Sequence, residues 1–211
     1  MPEPIVFGFP QSTYVRTVRL ACVEKGIAYT LEPLRFSSDA LAELHPFGRI
    51  PAFRHGDVSL YETTAICRYI NTAFEGPSLV PPGAADQARM EQWISVINAY
   101  VDPPVIRDIV VERLTRPLQG QPVDEAKCSA ATPRAAHALG VIDTALTDQA
   151  FLSGDGISLA DIFLLPIIYY FRQLPEGIEM LPSLPHLETW YERMQNRASF
   201  AATTPPPPGG R

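Results

Sequence analysis

The stretch that decides the fold is Gly48-Arg49-Ile50-Pro51-Ala52-Phe53, which places a proline at the start of a short apolar strand. Proline cannot donate to a strand ladder. It is tolerated only at the first residue of a strand, on an edge, or in a turn with a cis peptide bond. A bend at this point would leave the backbone of Ile50 free to pair with an extended ligand. The sequence therefore predicts a strand edge that binds a peptide.

The segments around this strand alternate between strand-like and helix-like patterns. The predicted order is strand 5–7, helix 15–26, strand 27–31, a short helix from Ser38 to Leu44, strands 51–54 and 58–61, and helix 63–74. A strand, a helix and a second strand in succession imply a parallel pair with a right-handed crossover. The βαβ then ββα order predicts a thioredoxin-like α/β domain.

A dense run of proline and glycine between residues 75 and 85 predicts the end of one domain and the start of another. Everything beyond this run has helical patterning. We therefore predict an N-terminal α/β domain, a linker, an all-α helical-bundle domain and a disordered proline-rich tail. Their bounds are 1–76, 77–85, 86–200 and 201–211.

Three local signals refine the helical half. Pro103 and Pro104 should bend or interrupt a helix, because neither can donate to its backbone ladder, and Pro133 should kink or divide another. Ser158 and Asp161 have the spacing of a capping box, which predicts a helix start with a structural role.

Composition excludes several classes of function. The 211 residues carry a formal net charge of -6 and are 46% hydrophobic, which argues against nucleic-acid binding. No apolar stretch approaches a transmembrane span, and the N-terminus lacks a signal-peptide pattern. The three widely spaced cysteines match neither a disulfide framework nor a metal site, so we expect a cytoplasmic protein without a metal.

Residues 7–16 (FGFPQSTYVR), taken with residues 48–66, resemble the glutathione S-transferase family. The resemblance extends from Ile5 to about Phe200 and is greatest to serine-type cytosolic members, of a phi-like bacterial or plant-like kind. It implies a detoxification enzyme with glutathione as co-substrate, a small hydrophobic electrophile as partner, and a homodimer.

Ser12 is the candidate catalytic residue. It follows a strand, a glycine and a proline and opens a helix, so its hydroxyl lies near unpaired amides and the positive end of the helix dipole. A disulfide mechanism would need cysteine here. Ser12 is instead suited to stabilising the thiolate of glutathione, although it could simply cap the helix. Thr13 and Tyr14 are rival donors.

The resemblance implies that glutathione is bound by residues of two further motifs, namely Arg49, Ile50, Pro51, Glu62 and Thr63. Ile50 would pair through its backbone with the cysteinyl unit beside a cis Pro51. Glu62 and Thr63, at a helix start, would hold the γ-glutamyl end. Arg49 could equally be a solvated surface arginine, and Glu62 and Thr63 could simply begin a helix.

Other roles are left open by the sequence. Arg35 and His45 are the basic choices for the glycyl carboxylate, but a histidine before proline is more often structural. Phe47 is either core or an apolar anchor for a dimer. The electrophile pocket is expected between the domains, from residues that are more often core: Phe9, Gln11, Tyr14, Phe36, Tyr100, Ile106, Tyr169 and Tyr170.

Two functions compete for this sequence. In the first, the protein adds glutathione to small apolar electrophiles, and variation of the pocket could redirect the thiolate to peroxide reduction or dehalogenation. In the second, the fold serves as a non-catalytic ligand carrier or protein-interaction scaffold. The complete set of peptide-binding residues favours the enzyme.

Overall fold

The computed structural model describes residues 2–34 and 39–206, and the chain divides into two compact units. The first unit runs to Val80 and also includes the segment from Asn196 onward. The second unit is Pro81–Gln195. The proposed cap Ser38 and the residues Arg35 and Phe36 lie outside the described residues.

A mixed four-stranded sheet forms the centre of the first unit. Its strands are β1 (Ile5–Phe7), β2 (Thr30–Glu32), β3 (Ala52–His55) and β4 (Val58–Tyr61), in the order β2-β1-β3-β4. β1 is parallel to β2 and antiparallel to β3, and β3 and β4 form an antiparallel hairpin. This topology confirms the predicted thioredoxin-like layout.

Within the described residues, this unit also has four helices: α1 (Thr13–Glu24), α2 (Asp39–Leu44), α3 (Thr63–Ala73) and α10 (Ala198–Thr203). The central strands β1 and β3 are paired on both sides, and their residues Val6 and Phe53 are fully buried. α1 packs against α3 through apolar faces that include Cys22 and Cys67. The core therefore fixes where α1 begins relative to the end of β1.

The second strand is shorter and later than predicted. Residues 27–29 lie outside the ladder, because the amide of Ile27 donates to the Cys22 carbonyl at the end of α1. Pairing starts where the Thr30 amide donates to the Pro4 carbonyl. The hydrogen bond that ends α1 therefore outweighs the β propensity of residues 27–29.

Residues 201–203, which the sequence assigns to a disordered tail, form the end of α10, and Thr203 is fully buried. The physical reason is contact with α1. Arg19 donates to the carbonyls of Ala202 and Thr203, and Arg197 donates from two nitrogens to the two oxygens of Glu24, each at 2.7 Å. Residues 207–211 of the predicted tail lie outside the described residues.

The second unit is helical throughout its regular structure, as predicted. Its elements are α4 (Ala84–Val96), two wider helical segments (Ile97–Val101 and Pro103–Thr115), α5 (Arg116–Leu118), α6 (Glu125–Ala145), α7 (Leu159–Phe171), α8 (Pro175–Met180), a 3-10 turn (Leu181–Ser183) and α9 (Pro185–Gln195). No helix among residues 2–34 and 39–206 is both long and apolar enough to cross a membrane.

The prolines of this unit act differently from one another. At Pro103 and Pro104 the regular α-helical ladder is replaced by π-helical turns; the Asp102 amide, for example, donates to the Ile97 carbonyl five residues back. Two residues without N–H groups interrupt the i to i-4 pattern, as predicted. Pro133, by contrast, lies inside α6 and does not divide it.

Asp161 is the polar centre of the helical unit and confirms the predicted capping signal. Its Oδ2 accepts from the amide and the hydroxyl of Ser158, at 2.9 and 2.8 Å. Its Oδ1 accepts from the Leu152 amide and the Trp190 indole, at 3.0 and 2.9 Å. Ser158 and Asp161 are therefore structural, as the sequence predicts.

Candidate functional site

The peptide bond between Ile50 and Pro51 is cis, which confirms the bend expected at the start of β3. Pro51 is buried, and Ile50 is half-buried. Among the described residues, neither the amide nor the carbonyl of Ile50 has a backbone partner. An extended ligand could therefore pair with both groups, in the manner of strand addition.

Gly8 brings three segments of the first unit together at this bend. A Cβ atom at Gly8 would lie 2.5 Å from Cγ2 of Val15 and 3.2 Å from Cβ of Ile50. Only a residue without a side chain permits so close an approach. As a result, the end of β1, the first turn of α1 and the cis bend are adjacent. The sequence pattern alone does not indicate this role of Gly8.

Ser12 occupies the N-cap of α1, the helix whose first turn is adjacent to this bend. Its backbone is extended (φ -70°, ψ 129°), and its Oγ accepts from the Val15 amide at 3.4 Å. The bond is long, and it uses a lone pair rather than the hydroxyl proton. The same hydroxyl can therefore cap the helix and donate to an anion at once. The first turn of α1 contains no acidic residue to repel such an anion.

The two rival donors have different positions. Thr13 is the first residue of α1 and is buried, with 9% of its surface exposed. Tyr14 is half-buried. Of the three, Ser12 is the residue at the helix cap, where the unpaired amides are concentrated.

Glu62 has a left-handed backbone, with φ 71° and ψ 116°, and it immediately precedes α3. A non-glycine residue in this region costs on the order of 1–3 kcal/mol and is most common at ligand-binding sites. Its side chain makes no cap bond to α3 and is exposed, whereas Thr63 is buried at the first position of the helix. Simple helix initiation does not explain this arrangement. Neither motif nor propensity signalled this conformation.

Arg49 is exposed on the loop before the cis bend, and His45 lies four residues before Arg49. The His45 ring is 4.9 Å from the Tyr61 ring, centroid to centroid, and only 2% of the residue is exposed. Burial lowers the pKa of His45; the charge of Arg49 also lowers it, and the charge of Glu62 opposes the shift. The imidazole therefore responds to charges from both motifs.

His45 is poorly placed to bind the glycyl carboxylate. Its Nδ1 already accepts from the Phe47 amide at 3.3 Å, and the residue is buried. Arg35, the other basic choice, lies outside the described residues.

The aromatic and apolar residues considered for the electrophile pocket have mixed environments. In the helical unit Ile106 belongs to the core with 5% exposure, whereas Tyr100 is 66% exposed. The rings of Tyr169 and Tyr170 are 5.2 Å apart. Burial thus places Ile106 with the core residues rather than with a ligand.

The cysteines are structural. All three are free and buried, and burial raises the pKa of Cys22 to about 12 and that of Cys67 well above its usual range. Neither is a reactive thiolate. Within the part of the chain that is described, no three His, Cys, Asp or Glu residues lie close enough to hold a metal ion.

Comparison with known proteins identifies relatives of both units. Residues 6–78 match the glutathione S-transferase N-terminal domain family, and residues 102–198 match the C-terminal domain family. The chain is 32% identical to glutathione S-transferase 3 of Zea mays, over 96% of each chain.

Solved structures agree with this similarity. The structure of glutathione S-transferase III in its apo form superposes with a TM-score of 0.89 at 30% identity, covering 98% of this chain and 100% of the other. A theta class enzyme from Xanthomonas axonopodis pv. citri, solved with glutathione bound, superposes with a TM-score of 0.87 at 29% identity. That match covers 97% of this chain and 98% of the other.

Proposed function

The chain belongs to the glutathione S-transferase family, and on that premise we propose that it activates glutathione through Ser12 for attack on small apolar electrophiles. The activity of the family is conjugation of glutathione. The observation that most supports these residues as the site is the close approach of the first turn of α1, which Ser12 caps, to the cis bend, an approach that Gly8 makes possible.

Thiol activation is the chemical task of this site. A cysteine thiol has a pKa near 8.5, so about 3% of it is thiolate at pH 7. A hydroxyl that donates to the sulfur stabilises the thiolate over the thiol. Lowering the pKa by about two units requires roughly 2.7 kcal/mol, which one charge-assisted hydrogen bond and the amides of a helix N-terminus can supply. The released proton goes to solvent, and the sulfur then bonds to the electrophile.

The remaining proposed residues hold the tripeptide in place. The Ile50 amide and carbonyl pair with the cysteinyl unit, while Pro51 fixes the direction of this edge. Thr63 and the first amides of α3 receive the γ-glutamyl carboxylate, and Glu62 accepts from its ammonium group. Arg49, exposed on the same loop, contacts the peptide from the side. The left-handed conformation of Glu62 supports this assignment, because helix initiation alone does not require it.

A homodimer is part of the proposal. Phe47 is 72% exposed, so it is not a core residue, and its ring packs edge-on against the 40% exposed Tyr61 at 6.5 Å. Exposed aromatic pairs of this kind are typical of protein interfaces. We expect a second copy of the chain to cover Phe47. A cytoplasmic location is likewise proposed, supported by three free, buried cysteines.

The experiment that tests the function is titration of the glutathione thiol on the protein, followed by thiolate absorbance. In wild type we expect the pKa of the bound thiol to fall by about two units. In Ser12→Ala it should return toward the free value, whereas Ser59→Ala, an exposed serine of β4, should leave it unchanged. A depression that persists in Ser12→Ala would assign the donor to Thr13, Tyr14 or the helix amides. Binding without a shifted thiol would favour the carrier or scaffold.

A further inference from the structure

We propose that His45 is a positioning residue whose neutral imidazole closes the turn leading into Arg49, Ile50 and Pro51, so that protonation of this ring weakens glutathione binding. The proposal rests on the proposed function, because it takes those three residues to hold the tripeptide. It gives His45 a role that neither the motif nor its basic character suggests.

The turn is defined by three hydrogen bonds. The His45 amide donates to the carbonyl of Leu41 within α2, at 2.8 Å, and the Gly48 amide donates to the His45 carbonyl, also at 2.8 Å. The Phe47 amide donates to Nδ1 of the His45 ring at 3.3 Å. Residues 45–48 are thus a β-turn with Pro46 in its second position, and Gly48 leaves it with φ 60°.

The bond to the ring has the connectivity of an Asx turn. In that motif an Asn or Asp oxygen accepts from the backbone amide two residues later. Here the imidazole nitrogen takes the place of the oxygen. The turn leads directly, through Gly48 and Arg49, to the cis bond before Pro51. Opening the turn would therefore displace the segment that pairs with glutathione.

Only the neutral imidazole can close this turn. When Nδ1 accepts a hydrogen bond, the ring proton must be on Nε2, whereas the imidazolium carries protons on both nitrogens. Protonation would remove the acceptor and set an N–H group against the Phe47 amide. Asparagine retains an acceptor at every pH, which makes His45→Asn a matched variant that does not titrate.

The surroundings of the ring determine the direction of the pH dependence. The groups that face it are Arg49 on the loop, Tyr61 on β4 and Glu62 before α3. Burial lowers the pKa of His45 in the closed turn, and this outweighs the opposing effects of the Glu62 charge and of a hydrogen bond to the backbone of His45; the charge of Arg49 adds to the lowering. An open turn has the ordinary value of about 6.5. Binding should therefore weaken as the pH falls below about 6.5, because the open form takes up the proton.

The test compares wild type, His45→Asn and His45→Ala by calorimetry with S-methylglutathione, which has no thiol to titrate. Between pH 7.5 and 5.5 we expect the Kd of wild type to rise by up to about tenfold, because pH 5.5 lies one unit below the ordinary pKa of histidine. His45→Asn should show no such rise. His45→Ala should bind about fivefold more weakly than wild type at pH 7.5, and the exposed His137→Asn should behave as wild type.

Nitrogen NMR of the imidazole provides a readout that does not depend on ligand. The chain has four histidines, so the His45→Asn spectrum identifies the His45 signals by their loss. An unprotonated Nδ1 at pH 7.5 supports the turn, and a protonated Nδ1 refutes it. Equal pH dependence of wild type and His45→Asn would also overturn the proposal. If wild type binds no S-methylglutathione at pH 7.5, the proposed function fails instead, while the ring spectrum still decides the state of the turn.

Discussion

The guanidinium of Arg16 donates to the hydroxyl of Thr203 at 3.4 Å, although 187 residues separate them along the chain. Arg16 is fully buried and lies one helical turn after Ser12, and its backbone amide donates to the Ser12 carbonyl at 2.9 Å. The last helix of the chain is thus bonded to the helix that carries the proposed catalytic hydroxyl. The precision of the site should depend on α10 as well as on the sheet.

Acid should loosen this attachment at Glu24. Burial raises the pKa of Glu24, but hydrogen bonds from Arg197 and Ser199 outweigh this effect and lower it. The carboxylate therefore stabilises the fold above its ordinary pKa of about 4.3, and this contribution is lost as the pH falls through the lowered value. Glu24→Gln should be less stable than wild type at pH 7 by about 1–3 kcal/mol, and the difference should shrink at pH 3. Urea unfolding at both pH values measures this.

The control for Glu24 is Glu75→Gln, an exposed carboxylate just after α3. It should change the urea midpoint little at either pH. An equal loss of stability in wild type and Glu24→Gln between pH 7 and 3 would show that the Arg197 pair does not contribute.

The helical unit should be most sensitive to mutation at Asp161. Replacing Asp161 with alanine leaves four donors without their acceptor: the Ser158 amide and hydroxyl, the Leu152 amide and the Trp190 indole. We expect a loss of about 3–5 kcal/mol, because the site is fully buried. Thermal unfolding and indole fluorescence would report it. The nearby exposed Asp155→Ala should stay within about 0.5 kcal/mol of wild type, and a similar loss in both variants would contradict the assignment.

Features that depend on near neighbours in the chain were predictable, and those that depend on distant ones were not. The Ser158 and Asp161 spacing and the position of Pro51 contain their physical reason within a few residues. The helix that ends at Thr203 depends on Arg16 and Arg19, at the other end of the chain, so composition alone indicated a disordered tail. The left-handed conformation of Glu62 was likewise invisible, because no propensity favours it.

Gly8 should tolerate no side chain. In Gly8→Ala the new methyl would meet Cγ2 of Val15 at 2.5 Å, and the backbone φ of 145° is unfavourable for alanine. The cis bend and the first turn of α1 would have to separate, so we expect lower stability and at least tenfold weaker glutathione binding. Gly140→Ala is the matched control. It lies within α6 with open space around it, so alanine should stabilise the protein by about 0.5–1 kcal/mol and leave binding unchanged. Calorimetry with glutathione and thermal unfolding separate the two effects.

A substitution at Glu62 should weaken glutathione binding without lowering the stability of the fold. Asparagine tolerates a positive φ more readily than glutamate does, so Glu62→Asn should fold about as stably as wild type. The asparagine side chain lacks the carboxylate that we propose accepts a hydrogen bond from the ammonium group of glutathione. A charge-assisted hydrogen bond of this kind contributes about 1.5–3 kcal/mol. The Kd for glutathione should therefore rise by about ten- to a hundredfold. Glu75→Asn, which removes an exposed charge beyond the opposite end of α3, should leave the Kd unchanged. Unchanged binding in Glu62→Asn would mean that its backbone conformation serves only the start of α3, and the γ-glutamyl end would then have to be held by Thr63 and the helix amides alone.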